Sequence, residues 1–224
     1  MRRLPMMLCL LALLIPTGSA NALTPSEQQS IKLIRDAYGE RAGLRVEAWR
    51  QLLKDIRQDD EMRLLEQVND FFNQLRFLDD IEIWGKEDYW ATPLEFLGVG
   101  AGDCEEFSIA KYFSLRELGM DDEKLRLVYV KALELNQFHM VLAYYPTPSA
   151  VPLLLDNLTP DIVVVSQRPD LQPIFSFNGS KLWLIKLQGK GELAGDASQI
   201  KQWNDLRSRF SGQQLAQPII RLNE

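Results

Sequence analysis

The sequence predicts an α+β fold, with helices first and an antiparallel sheet after. Three observations predict it. The front of the chain carries apolar residues at helical spacing. From residue 125 the apolar runs shorten to strand length with turn residues between them. No repeat, low-complexity stretch or convincing linker separates the two parts, so a single domain over residues 23–224 is expected.

The first 22 residues read as an address. Arg2 and Arg3 form a positive start, an apolar run follows to Ile15, and Ala20-Asn21-Ala22 is a small-residue cleavage site. The run is too short to span a bilayer comfortably, so the chain is expected to be exported and not itself membrane-spanning. Cys9 lies inside the run with no small residue before it, which argues against a lipid anchor.

After the leader, Thr24-Pro25-Ser26-Glu27 is a helix start, with Thr24 as N-cap and Glu27 closing a capping box. Ile31, Leu33, Ile34 and Ala37 continue it. A second helix is expected around Trp49, Leu52, Leu53 and Ile56, and a third around Leu64, Leu65, Val68 and Phe72. Residues 79–92 have no clear period and read as an irregular connection carrying Trp84 and Trp90. Residues 98–102 (GVGAG) read as a flexible approach to a helix over 104–118, with Gly119 as its C-cap. Strands are expected over 125–132, 139–145, 151–155, 162–166 and 182–187, with Asn178-Gly179 as a hairpin turn. The tail returns to helix around Ile200, Trp203, Leu206 and Phe210.

Composition narrows the function. The chain has 25 Lys+Arg against 31 Asp+Glu and a net charge of −6. Loss of Arg2 and Arg3 with the leader takes it to −8. An acidic chain with no basic block is not expected to bind nucleic acid. Two Cys and one His cannot supply the roughly four ligands of a structural Cys/His zinc site. A carboxylate-rich metal site stays open.

Export would leave Cys104 as the single cysteine. A lone thiol in an oxidising compartment is either an inert buried residue or a reactive one. Cys104 opens a helix after a glycine-rich turn, where free N–H groups and the helix dipole favour the thiolate. The turn is expected to present the sulfur to solvent, with the Cys104 N–H placed to stabilise an oxyanion. The only histidine, His139, begins the apolar run 140–143, and Asp156 ends the run 152–155. A lone His is more often a satisfied core or surface residue, and Asp156 beside Asn157 also reads as a turn residue. A carboxylate after four apolar residues is nevertheless expensive to bury without a partner. If strands 139–145 and 151–156 form a hairpin, His139 and Asp156 meet near the Cys104 helix as nucleophile, base and orienting group.

Those residues carry a resemblance. Segments 88–108 (DYWATPLEFLGVGAGDCEEFS), 125–131 (LRLVYVK), 139–142 (HMVL) and 155–157 (LDN) closely resemble the bacterial transglutaminase-like cysteine proteinases. The likeness covers about residues 84–187 and fits the leader and the helical front. It implies a papain-like/transglutaminase-like core with N-terminal helices packed on an antiparallel sheet. Cys104 matches the nucleophile, His139 the base and Asp156 the orienting carboxylate. Trp90 stands where this fold class often places an oxyanion-hole or cleft side chain, although Trp84 is an alternative and either reads equally as core. The resemblance also implies calcium as cofactor. Asp103, Glu105 and Glu106 crowd the thiol, and Asp121 and Glu123 follow the helix, so both groups are candidate ligands. Three acidic neighbours should otherwise raise the thiol, and a divalent cation would cancel their field. The alternative is that Glu105 and Glu106 merely favour a helix start and 121–123 is a solvated turn.

The resemblance further implies a periplasmic endopeptidase that cuts a large cell-surface adhesin near its N-terminus, releasing it and promoting biofilm dispersal. Its implied regulator is an inner-membrane cyclic-di-GMP receptor that sequesters it. Two other readings use the same residues: a transglutaminase-type acyl transferase, and a non-catalytic calcium-binding interaction module.

Overall fold

The computed structural model describes residues 22–185, 191–211 and 213–220. The leader, residues 1–22, lies outside the described residues but for its last residue, as does the end of the strand expected over 182–187. Among the described residues, no helix is long and apolar enough to cross a membrane.

Helices α1 (Pro25–Tyr38), α2 (Glu40–Asp55) and α3 (Glu61–Phe72) form the front. The Thr24–Glu27 capping box is present at the start of α1. A short strand β1 (Arg76–Phe77) and the one-turn helix α4 (Asp80–Trp84) follow. Then come α5 (Pro93–Val99), β2 (Ala101–Gly102) and α6 (Cys104–Glu117). Two expectations are corrected here. Residues 79–92 are not wholly irregular, since they contain α4. Residues 98–102 are not an open approach: Gly98 and Val99 form the end of α5, Gly100 caps it, and Ala101–Gly102 pairs in parallel with β1. The cause is a second capping box, Thr92 with Glu95, followed by Pro93, which starts a helix in front of the glycines. The glycines serve close packing. A Cβ on Gly102 would stand 2.8 Å from the Glu106 Cβ and 2.9 Å from the Phe96 ring.

Strands β3 (Leu125–Ala132), β4 (Gln137–Tyr144), β5 (Leu153–Leu155), β6 (Val163–Val164), β7 (Leu171–Phe177), β8 (Lys181–Ile185) and β9 (Gly191–Asp196) pair antiparallel. Their order is β6-β5-β4-β3-β7-β8-β9 among the described residues. Asn178 closes the β7–β8 turn, its Oδ1 accepting the Ser180 and Lys181 N–H groups. Helix α7 (Lys201–Ser211) buries Trp203 and Leu206.

Helix α6 is buried on nearly every side, between the front helices and the sheet. Phe107, Ile109, Ala110 and Leu115 join the core that includes Leu65, Phe72, Phe96, Leu127, Met140 and Leu142. Even Lys111 and Ser114 on α6 are fully covered. The first turn of α6 meets the edge of β4. On β4, strand β5 reaches only Leu142, Ala143 and Tyr144, so the Met140 backbone on that edge needs partners elsewhere. It finds them on α6: Ser108 Oγ donates to the Met140 carbonyl at 2.9 Å, and the Met140 N–H donates to the Cys104 sulfur.

Candidate active site

Asp103 caps α6, accepting from the Glu105 N–H at 3.3 Å, while Glu106 reaches back to the Asp103 N–H at 3.0 Å. This box fixes Cys104 as the first helical residue. The sulfur is not presented to solvent as the glycine approach suggested, because Cys104 is only 8% exposed. Core side chains of α5, α6 and β4 share its cluster. The thiol donates to Glu105 Oε2 at 2.8 Å. Its pKa lies well above the usual thiol value, first through burial and then through the charges of Glu105 and Asp103. The helix dipole alone would lower it, but its effect is about 1 kcal/mol or less. Burial and two carboxylates outweigh that.

His139, on β4, is one residue from the Met140 N–H that meets the sulfur. Asp156 follows β5, and the β4–β5 register, Leu142 opposite Leu155, brings it alongside. His139 Nε2 and Asp156 Oδ1 are 2.8 Å apart, with both side chains almost wholly buried. Burial raises the Asp156 pKa, but the His139 hydrogen bond and charge, with help from Arg168, outweigh it and hold the carboxyl at about 2. An ionised carboxylate only accepts. Nε2 therefore carries the proton, and Nδ1 is the basic nitrogen of the neutral ring. Arg168 Nη1 meets the other oxygen, Oδ2, at 2.6 Å, and the Leu158 N–H donates to Oδ1 at 3.0 Å. Asn73 Nδ2 and Lys111 Nζ both donate to the Asp156 backbone carbonyl, at 2.9 and 3.1 Å.

The carboxylates fall into two groups. Asp80, Asp103 and Glu106 offer oxygens within 4.8 Å of one another, and so do the ligand atoms of Asp103, Cys104 and Glu105. Asp80 Oδ2 accepts the Tyr89 N–H at 2.5 Å, while its Oδ1 is buried without a partner. Burial and the nearby Asp103 push Asp80 up to about 8. Glu105 and Glu106 also lie well above the usual range, again by burial first and Asp103 next. An orphaned carboxylate oxygen among crowded hard oxygens is the donor set of a divalent cation such as calcium. Asp121 and Glu123 do not join it. They lie past the other end of α6, whose 14 residues span about 20 Å. There Asp121 caps a 3₁₀ turn and Glu123 pairs with Lys181 at 2.5 Å.

Trp90 shares the core cluster of Cys104 and stacks on Phe177 at 5.7 Å. Trp84 belongs to a separate cluster with Ile83 and Tyr89. Of the two candidates, only Trp90 belongs to the core cluster that includes Cys104. A row of aromatic rings, Phe138, Tyr129 and Phe175, stacks across β4, β3 and β7 at 5.5 and 5.1 Å. Burial first, and then Glu105, push the Tyr129 hydroxyl up.

Sequence reasoning missed Asp80, Arg168 and Lys111. Asp80 stands 23 positions before Asp103 in a stretch read as irregular. Arg168 follows a turn and looks like a surface cation. Lys111 interrupts an apolar helical stripe that otherwise hides it.

A model of the family "Bacterial transglutaminase-like cysteine proteinase" matches residues 47–170. No curated protein matches the chain. Among solved structures, calcium-bound Legionella pneumophila LapG is 40% identical with a TM-score of 0.71, over 82% of this chain and 98% of that one. The EGTA-treated form of the same protein is 39% identical with a TM-score of 0.72, over 82% and 96%.

Proposed function

The chain belongs to the bacterial transglutaminase-like cysteine proteinases, and from that membership we propose a calcium-dependent cysteine endopeptidase built on Cys104, His139 and Asp156. The observation that carries the reading is the buried 2.8 Å His139–Asp156 pair, one strand residue from the N–H that meets the thiol.

The thiol proton passes to His139 Nδ1, and the imidazolium is stabilised by Asp156 through Nε2–H. The thiolate adds to the peptide carbonyl. The oxyanion faces the Cys104 N–H at the start of α6, with Trp90 lining the same side. The imidazolium gives its proton to the leaving amine, and water then releases the acyl group with His139 again as base. Asp103, Glu105, Asp80 and Glu106 are the residues that would hold calcium. Bound there, the cation supplies positive charge against the carboxylates that raise the thiol.

The chain acts as a single domain, residues 23–224, in the periplasm after loss of its leader. Its substrate is a large surface adhesin, cut near the N-terminus to release it and promote biofilm dispersal. An inner-membrane cyclic-di-GMP receptor sequesters it. The resemblance of segments 88–108, 139–142 and 155–157 supports this assignment. The test is incubation with the adhesin N-terminal segment, with and without EGTA, for wild type and Cys104→Ala. Cleavage that needs both the thiol and calcium is expected. Cleavage by Cys104→Ala would refute the reading, and a product joined to an added amine would favour acyl transfer.

A further inference from the structure

Asp156 has a second partner as close as its histidine. Arg168 Nη1 lies 2.6 Å from Oδ2, and the Arg168 side chain is 10% exposed. The rest of its fork is engaged by Asp170: Nε meets Oδ1 at 3.0 Å and Nη2 meets Oδ2 at 2.8 Å. The backbone fixes both residues. The Arg168 N–H donates to Val165 O, and Asp170 O accepts the Leu133 N–H of the β3–β4 turn. His139, Asp156, Arg168 and Asp170 thus form one chain of alternating charge, buried at His139 and Asp156 and reaching the surface at Asp170.

Resting on the proteinase reading, we propose that Arg168 is a positioning residue for the catalytic base, held by Asp170 so that Asp156 offers one fixed oxygen to His139. A planar guanidinium bound on both edges suits this better than an ammonium, whose donors rotate freely. Asn73 and Lys111 hold the Asp156 carbonyl from α3 and α6, so the carboxylate is the part left for Arg168 to orient.

Arg168 also shares the Asp156 charge, which limits how strongly Asp156 stabilises the imidazolium. The charged and titratable groups on the elements packed against the pair are Asp156 after β5, Arg168 and Asp170 before β7, and Lys111, Cys104 and Glu105 on α6. Lys131 on β3 is turned to the Phe138 ring at 4.8 Å. Removing Arg168 raises the proton affinity of His139. Removing Asp170 leaves the Arg168 charge unopposed and lowers it.

The chain holds one histidine, so NMR of untagged protein reads its titration without reference to activity. Arg168→Gln is expected to move the imidazole pKa up by about one unit, and Asp170→Asn to move it down by about half a unit. In Arg168→Gln, kcat for the adhesin segment falls about tenfold with KM kept, as for loss of a group that orients a functional histidine. Arg168→Lys recovers part of it. Asp170 is partly exposed, so Asp170→Asn serves if Arg168→Gln does not fold. An imidazole that titrates as in wild type in either folded variant overturns the assignment. Opposite shifts in a protein without Cys104-dependent cleavage would support the positioning role and overturn the proteinase roles instead.

Discussion

Cys104 gives up its proton with difficulty in this environment. Burial, then Glu105 and Asp103, hold the thiol above its ordinary value, and its proton already points at Glu105. If calcium occupies the neighbouring carboxylates, the same thiol becomes far easier to ionise. Alkylation by iodoacetamide at neutral pH is therefore expected to slow several-fold on addition of EGTA and to recover with excess calcium. A rate indifferent to EGTA would break the link between metal and nucleophile. Asp156 works in the opposite sense. Its folded pKa is depressed to about 2, so its contribution is present above the unfolded carboxylate value. It is lost as pH falls from about 4 to about 2. That contribution is about 2 kcal/mol. Denaturant midpoints of wild type should fall through this window, and those of Asp156→Asn should fall less steeply, keeping the part due to Glu27, whose carboxyl is also held at about 2. At neutral pH Asp156→Asn should also lose about a thousandfold or more in kcat.

The first turn of α6 concentrates the chemistry, and tight packing around it sets the tolerance of its neighbours. Gly102 precedes the Asp103 cap, and a Cβ there would sit 2.8 Å from Glu106 and 2.9 Å from Phe96. Gly102→Ala is expected to lower stability by about 1–3 kcal/mol, read as the urea midpoint at constant m-value. An unchanged midpoint would mean that the cap can shift. The same region shows what the sequence made legible. The helix start at Cys104, the strand at His139 and the return of Asp156 each follow from local pattern, and the hairpin between the strands follows from their antiparallel neighbours. The glycine stretch 98–102 misled, because glycine here answers side chains from distant elements: a Cβ on Gly98 would strike the Tyr38 ring. Asp80 and Arg168 were beyond reach for the same reason. Their partners lie 23 and 12 positions away in the chain, and neither sits in a periodic segment. Asp121 and Glu123 looked equal to Asp103 and Glu105 as an acidic cluster, yet a helix of four turns separates them.

Across the molecule, the carboxylate group at α4 and α6 is tied to the C-terminal helix. Glu95, wholly buried, accepts from the Tyr89 hydroxyl at 2.9 Å and from the Ala216 N–H at 2.8 Å, and it pairs with Arg209 of α7 at 2.5 Å. Tyr89 in turn donates its N–H to Asp80. The Tyr89 segment that holds Asp80 at the start of α4 is thus tied to α7, which opposes the acidic group moving apart. Burial first, and then the repulsion of Asp103, push Asp80 up to about 8. The sign follows from proton uptake. The folded metal-free protein binds more protons than the unfolded chain between about pH 4 and pH 8, so its stability falls as pH rises through that range. Calcium should abolish the fall, because it takes the place of the protons. At a hundredfold excess over its Kd the gain is about 2.7 kcal/mol, or a rise of roughly 5–10 °C in Tm for a chain of this size. Asp80→Asn removes one of the opposed charges. In EGTA it should melt higher than wild type at pH 8 and equal to it near pH 4, and it should gain less from calcium. Thermal melts of both proteins across pH, with and without EGTA, read all three effects. A wild-type melting point that stays level from pH 4 to pH 8 in EGTA would show that the carboxylates are not crowded in solution, and the case for a cation among them would fall with it.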